Sequence, residues 1–150
     1  MALSMAQKID FHFNVPENRI QYACRVVRKA RGLGMKIALW SNDAHRLDYF
    51  ARQLCAFDAT GFYPIVKAND PLADQTSTVY DTDADRLPSR DLLILLDDEV
   101  PMNYQTLFAR FARVIDIVPN QENERQAARK RFVIYRQSVT IYIGRNVCFG

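Results

Sequence analysis

The sequence predicts an α/β fold, a three-layer α/β/α sandwich built around a mostly parallel sheet. Short apolar runs alternate with amphipathic stretches along most of the chain, which is the pattern of strands joined by helices. After its first residue, the run from Asp91 to Leu96 contains only leucine and isoleucine, as expected for a strand covered on both faces. The chain has 150 residues, of which 49% are apolar, so we expect a single domain, residues 1–150.

The first part of the chain predicts a strand followed by a helix. Lys8 to Phe13 forms the first predicted strand. The four residues from Asn14 to Glu17 resemble a capping box with a proline in the first turn, which opens a helix from about Glu17 to Arg31. Gly32 and Gly34 then end this helix.

The middle of the chain predicts a second strand and a second helix. Met35 to Trp40 forms the strand, and Ser41 to Asp43 caps a helix that runs to about Leu54. An irregular aromatic segment from Phe57 to Ile65 follows, and a short strand lies near Thr78 to Tyr80.

The second half continues the alternation beyond an acidic loop, Asp81 to Ser89, and the Leu/Ile strand. Pro101 to Phe111 predicts a third helix, and Arg113 to Val118 predicts another central strand. Glu122 to Gln137 predicts the last helix, and Thr140 to Ile143 predicts an edge strand.

Two apparent nucleotide motifs lack the structural context that they need. Gly32-Leu-Gly34-Met-Lys36 resembles a phosphate loop, but it ends a helix and enters a strand, which is the reverse of the required order. Asp97, Asp98 and Glu99 resemble the acidic strand end that holds magnesium in ATPases, yet no phosphate loop accompanies them. We therefore predict a Rossmann-like sandwich without a nucleotide-binding loop, without a cofactor and without a metal ion.

One enzymatic alternative stays open at the sequence level. Asp81, Asp83, Asp97 and Asp98 could meet at one edge of the sheet and support magnesium-dependent phosphoryl transfer. No serine occupies a nucleophile elbow, and the two histidines have no obvious nucleophile near them in the sequence.

Composition favours a cytoplasmic protein with local rather than extended anion binding. The longest apolar run is too short to span a bilayer, and the first residues do not resemble a secretory signal. Cys24, Cys55 and Cys148 lack metal or redox spacing, so we expect free thiols. The net charge is +3, but residues 70–99 hold nine acids against two bases, which disfavours general nucleic-acid binding.

The last predicted helix carries the strongest functional signal. Arg125, Arg129, Phe132 and Arg136 recur at spacings of four, three and four, so their side chains fall within a sector about 60° wide. Together with Val118 they would form an apolar notch rimmed by arginine, suited to an acidic peptide that ends in an aromatic residue.

Two other interpretations of this helix remain. It could be a solvated basic surface helix, or it could bind single-stranded DNA directly. Arg131 and Val133 do not fit a helix with two distinct faces.

The chain resembles the chi subunit family of bacterial DNA polymerase III over nearly its whole length. The resemblance rests on segments in a characteristic order, namely Ile9 to Asn14 with Tyr22 to Lys29, His45 to Asp48, Phe62 to Pro64, Asp91 to Leu95, Val114 to Pro119, Ala127 to Phe132 and Tyr135-Arg136. It implies a non-enzymatic α/β adaptor of the bacterial replisome, located in the cytoplasm. Such an adaptor would link the clamp loader, through the psi subunit, to the acidic C-terminal tail of single-stranded DNA-binding protein, and would reach DNA only indirectly.

The resemblance also implies roles for individual residues at two faces. Arg125 and Arg129 match the family's basic residues for the tail carboxylates, Phe132 stands where tyrosine is common, and Val118 matches an apolar pocket wall. The face that meets psi, or a repair helicase in some members, is matched by Phe62, Pro64, Leu54 and Cys55. Cys55 stands where the family often has tryptophan, so a thiol replaces an aromatic ring at this second face.

Overall fold

The described part of the chain forms one seven-stranded sheet in which every strand pair is parallel. A computed structural model describes residues 8–56 and 64–145, with side chains up to residue 142. The strands are β1 (Lys8–Val15), β2 (Ile37–Trp40), β3 (Ile65–Lys67), β4 (Thr78–Asp81), β5 (Arg90–Leu95), β6 (Phe111–Pro119) and β7 (Thr140–Arg145). Their order across the sheet is β3-β4-β2-β5-β6-β1-β7, so the predicted last strand does lie at an edge, next to β1.

Helices cover both faces of this sheet. The helices are α1 (Arg19–Gly32), α2 (Ala44–Ala56), α3 (Tyr104–Phe108) and α4 (Glu122–Tyr135), and short 3₁₀ turns occupy Ala73–Gln75 and Ala84–Arg86. Along β5, Leu92 and Ile94 pack with α1 and α2, whereas Leu93 and Leu95 pack with α3 and α4. Alternate side chains of a strand point to opposite faces, so one continuous apolar strand supplies both cores. The predicted three-layer α/β/α sandwich is confirmed.

The structure corrects the predicted start of the first helix. Asn18, not Asn14, is the N-cap: its backbone is extended, and its side chain accepts a hydrogen bond from the Gln21 amide at 2.8 Å. Asn14 has a left-handed backbone with φ of 56° and lies where the register of β1 against β6 shifts. A residue in that conformation continues a bulge and does not cap a helix, so α1 begins at Arg19.

The third helix is shorter than predicted. It covers only Tyr104–Phe108, because Asn103 has a left-handed backbone with φ of 57° and Phe111 already pairs with Arg90 in the sheet.

The cap of the second helix is confirmed: Asp43 accepts from the amides of His45 and Arg46 at 3.0 and 3.2 Å.

The glycines after α1 act as a helix stop and not as a phosphate loop. Gly34 has φ of +78°, a conformation that favours glycine, and its amide donates to the Arg31 carbonyl at the helix end. In the described ranges, no glycine-rich loop leads from a strand into a helix. Nor is any helix in these ranges both long enough and apolar enough to cross a membrane.

Candidate functional site

A buried ion pair fixes the rotation of α4 on the sheet. Arg131 is only 2% exposed, and its Nε and Nη2 donate to the Asp116 carboxylate of β6 at 2.9 and 2.8 Å. Its Nη1 donates to the Asp98 carbonyl at 3.0 Å. Arg131 therefore belongs to the inner face of the helix. Arg129 lies two residues earlier, about 200° around the helix, and points outward.

A second polar contact holds the amino end of α4. Arg19, at the start of α1, is buried and pairs with Asp98 at 2.6 Å and with Glu124 at 3.3 Å. Burial tends to raise the pKa of Asp98, but the hydrogen bond and charge of Arg19 offset this effect and leave the pKa below its ordinary value. Two buried arginines thus hold α4, Arg19 of α1 at its amino end and Arg131 through Asp116 of β6 in its second half.

Phe132 lies between the core and the surface. It is half-buried, and its ring packs edge-on against Phe11 of β1, with centroids 6.0 Å apart and planes at 80°. Phe11 in turn packs against Tyr135 at 5.9 Å. The position of the Phe132 ring is therefore set by β1, a strand that is distant from α4 in the sequence.

A groove of about 630 Å³ lies between α4 and the carboxyl ends of β1 and β6; we call it the α4 groove. It is lined by Phe11, Phe13, Asn14, Val118, Arg125, Ala128, Arg129, Phe132 and Val133. Four of the five residues predicted for tail binding are among them. The fifth, Arg136, is exposed just after the end of α4 and is not one of the described lining residues.

Sequence reasoning missed the contribution of β1 to this groove. Phe11 and Phe13 are two residues apart and therefore share one face of the strand. That spacing is visible in the sequence, but the placement of β1 beside β6 and beneath α4 depends on the strand order. Ala128 and Val133 were also missed; both lie on α4 and border the predicted stripe.

The two groove arginines converge on one carboxylate of the protein. Glu122 accepts from Arg125 Nη2 at 2.9 Å and from Arg129 Nη1 at 3.4 Å. The hydrogen bond from Arg125, followed by those from Gln126 and Arg129, holds the pKa of Glu122 below its ordinary value. Arg125 also donates to Asn120. The geometry shows that both guanidinium groups can reach a single anion.

The second predicted face is only partly described. Leu54 is fully buried in the core beneath α2, while Cys55 beside it is exposed. Pro64 is half-buried just before β3, and Phe62 lies outside the described residues. Leu54 can therefore influence this face only by positioning α2. Cys148 also lies outside the described residues.

The four aspartates of the enzymatic alternative bind groups of the protein itself. Asp97 is buried and accepts from the Ser41 hydroxyl at 2.9 Å and from the Asn42 amide. Asp81 accepts from the Asp83 amide at 2.8 Å. Across residues 8–56 and 64–145, no group of three or more His, Cys, Asp or Glu side chains is arranged to hold a metal ion. In these ranges the four aspartates are therefore not gathered into one cation site.

The fold and the groove define an α/β protein that presents arginine and aromatic side chains together on the surface of one helix. Comparison with known proteins specifies the family. Residues 5–140 match the family described as DNA polymerase III chi subunit, HolC. The DNA polymerase III subunit chi of Pseudomonas aeruginosa is 30% identical over 122 residues, which cover 81% of this chain and 82% of that protein. The chain belongs to the DNA polymerase III chi subunit family, whose members are accessory subunits of the replicative polymerase.

Proposed function

We propose that this chain is a non-catalytic adaptor within DNA polymerase III. Its α4 groove binds the acidic C-terminal tail of single-stranded DNA-binding protein, and its second face binds the psi subunit and so reaches the clamp loader. The observation that supports the first contact most strongly is that Arg125 and Arg129, which can converge on one carboxylate, line the same groove as the half-buried Phe132 ring.

The chemistry of the α4 groove matches such a tail at each point. Its volume of about 630 Å³ lies within the roughly 300–1,000 Å³ range typical of ligand pockets. Phe11, Phe13, Val118 and Phe132 provide apolar walls for an aromatic residue. Arg125 and Arg129 stand at the same groove and supply bidentate donors for carboxylates.

The expected affinity of a single tail is modest. Burial of one phenylalanine side chain contributes about 1.5–3 kcal/mol. Each exposed ion pair adds about 0–1 kcal/mol, because solvent screens it. A single tail should therefore bind no more tightly than roughly micromolar, about 8 kcal/mol. Several tails on one DNA-bound oligomer would raise the local concentration and strengthen the attachment.

A fluorescence polarisation titration with a labelled acidic peptide ending in Pro-Phe tests this contact. The wild-type protein should bind, and Arg129→Ala should lose most of the affinity. Lys130→Ala is the matched control, because Lys130 is exposed on the same helix and does not line the groove. Equal binding by wild type and Arg129→Ala would refute the assignment of the groove.

The same titration separates this function from direct DNA binding. An unlabelled single-stranded oligonucleotide should not displace the peptide if the groove selects the tail. Displacement at similar concentrations would favour the DNA-binding alternative.

The contact with psi needs its own test at the second face. Cys55→Arg places a large charge at an exposed position and should leave the fold intact. We expect this variant to lose co-elution with psi in size-exclusion chromatography while it keeps wild-type peptide binding. Unchanged co-elution would exclude Cys55 from the psi contact.

A further inference from the structure

Two arginines that line the α4 groove, Arg125 and Arg129, already bind a carboxylate that belongs to the protein. Glu122 accepts hydrogen bonds from Arg125 Nη2 at 2.9 Å, from Gln126 Nε2 at 3.1 Å and from Arg129 Nη1 at 3.4 Å. Its side chain is 57% exposed, so neither the core nor a neighbouring strand requires it in this place. It occupies the two guanidinium groups that the proposed function assigns to carboxylates of the tail.

This contact differs from ordinary stabilisation of a helix start. Glu122 and Glu124 both lie in the first turn of α4, where a negative charge favours the helix. Glu124, however, pairs with the buried Arg19, whereas Glu122 bonds the groove arginines. Both acids therefore stabilise the amino end of α4. Of the two, Glu122 alone also pairs with Arg125 and Arg129, the arginines proposed to bind the peptide.

We propose that Glu122 is an internal competitor that sets the affinity and the selectivity of the α4 groove. The proposal rests on the proposed function of the groove as a site for an acidic, aromatic-ended peptide. An incoming carboxylate must displace Glu122 from Arg125 and Arg129 or bind beside it against its charge. Either route weakens the electrostatic part of binding and leaves the burial of the ring unchanged.

Glu122 also affects which anions bind in the α4 groove. A nucleic-acid backbone binds mainly through its phosphates, so its affinity depends almost wholly on uncompensated positive charge. A peptide that ends in an aromatic residue gains additional free energy from apolar burial against Phe132 and Val118. Glu122 therefore disfavours DNA more than it disfavours the peptide.

The peptide titration tests the proposal directly when it is extended to Glu122→Gln, with Glu124→Gln as the matched control. Both variants remove one negative charge from the same helix turn. We expect Glu122→Gln to bind the peptide about two- to fivefold more tightly than wild type, in line with the small strength of exposed ion pairs. Glu124→Gln should change the dissociation constant by less than a factor of about two. Binding of an oligothymidylate should increase more in Glu122→Gln than binding of the peptide does.

A double-mutant cycle separates local competition from a general charge effect. In an Arg129→Ala background, the gain from Glu122→Gln should shrink, because one of its two arginine partners is absent. Equal or weaker peptide binding by Glu122→Gln in the wild-type background would overturn the proposal, since Glu122 would then be positioning the arginines. An unchanged gain in the Arg129→Ala background would overturn it as well.

The failures of the two proposals can be told apart. If peptide binding does not depend on Arg129, the proposed function fails and this inference fails with it. If binding depends on Arg129 but Glu122→Gln does not strengthen it, only the competitor role of Glu122 is refuted.

Discussion

The buried pair of Arg131 with Asp116 gives the sharpest stability prediction, because each partner depends on the other. Asp116 is fully buried, and Arg131 donates two hydrogen bonds to its carboxylate. Arg131→Ala would leave that carboxylate in the core without its cation. Breaking a buried ion pair in this way costs about 3–5 kcal/mol. A domain of this size has a total stability of roughly 5–15 kcal/mol, so the variant should lose a large part of its stability.

Urea denaturation followed by circular dichroism measures this loss as the change in the free energy of unfolding. Arg129→Ala, on the same helix but 65% exposed, is the control and should change that free energy by less than about 0.5 kcal/mol. The double variant Arg131→Met with Asp116→Leu should regain much of the loss, because it removes both charges together. A cost below about 1 kcal/mol for Arg131→Ala would refute the view that this pair anchors α4.

Three further predictions concern the α4 groove and the core. Phe132→Ala should weaken peptide binding by about 10- to 100-fold, the equivalent of one lost aromatic contact, and Phe132→Tyr should not, as polarisation titrations would show. Raising the salt concentration should weaken peptide binding in the wild type and should have less effect in Arg129→Ala, because screening acts on exposed charges. Burial lowers the pKa of His12 in the folded protein. As the pH falls below about 6.5, the unfolded chain therefore binds a proton at His12 before the folded protein does. Stability should therefore decrease below that pH in wild type and decrease less in His12→Asn, as urea titrations at several pH values would reveal.

The layered fold was predictable because its main signal is local. β2 and the Leu/Ile part of β5 are short apolar runs, and the burial of Leu92 to Leu95 on both faces follows from the absence of polar alternation. The errors in the fold concern backbone conformations that composition does not determine. Asn14 and Asn18 are both acceptable caps by residue type, and only the bulge in β1 decides between them. Similarly, Phe111 could extend a helix or begin a strand, and pairing with Arg90 across the sheet selects the strand.

Helical spacing predicted the part of the site that α4 carries. Helical spacing alone placed Arg125, Arg129 and Phe132 on one face, and all three line the α4 groove. The same spacing could not show that β1 supplies the opposite wall, because that depends on strand order. The spacing left Arg131 outside that face, but it could not show that Arg131 is buried against Asp116.

The central claim is that the α4 groove receives the aromatic end of an acidic peptide. Amide and side-chain NMR spectra of the isotope-labelled protein, recorded during titration with the peptide ending in Pro-Phe, test it most directly. We expect the largest shifts at Phe13, Val118, Arg129 and Phe132, with cross-relaxation between the peptide ring and the Phe132 ring. Shifts confined to other surfaces, such as the loop between β5 and α3, would contradict the account.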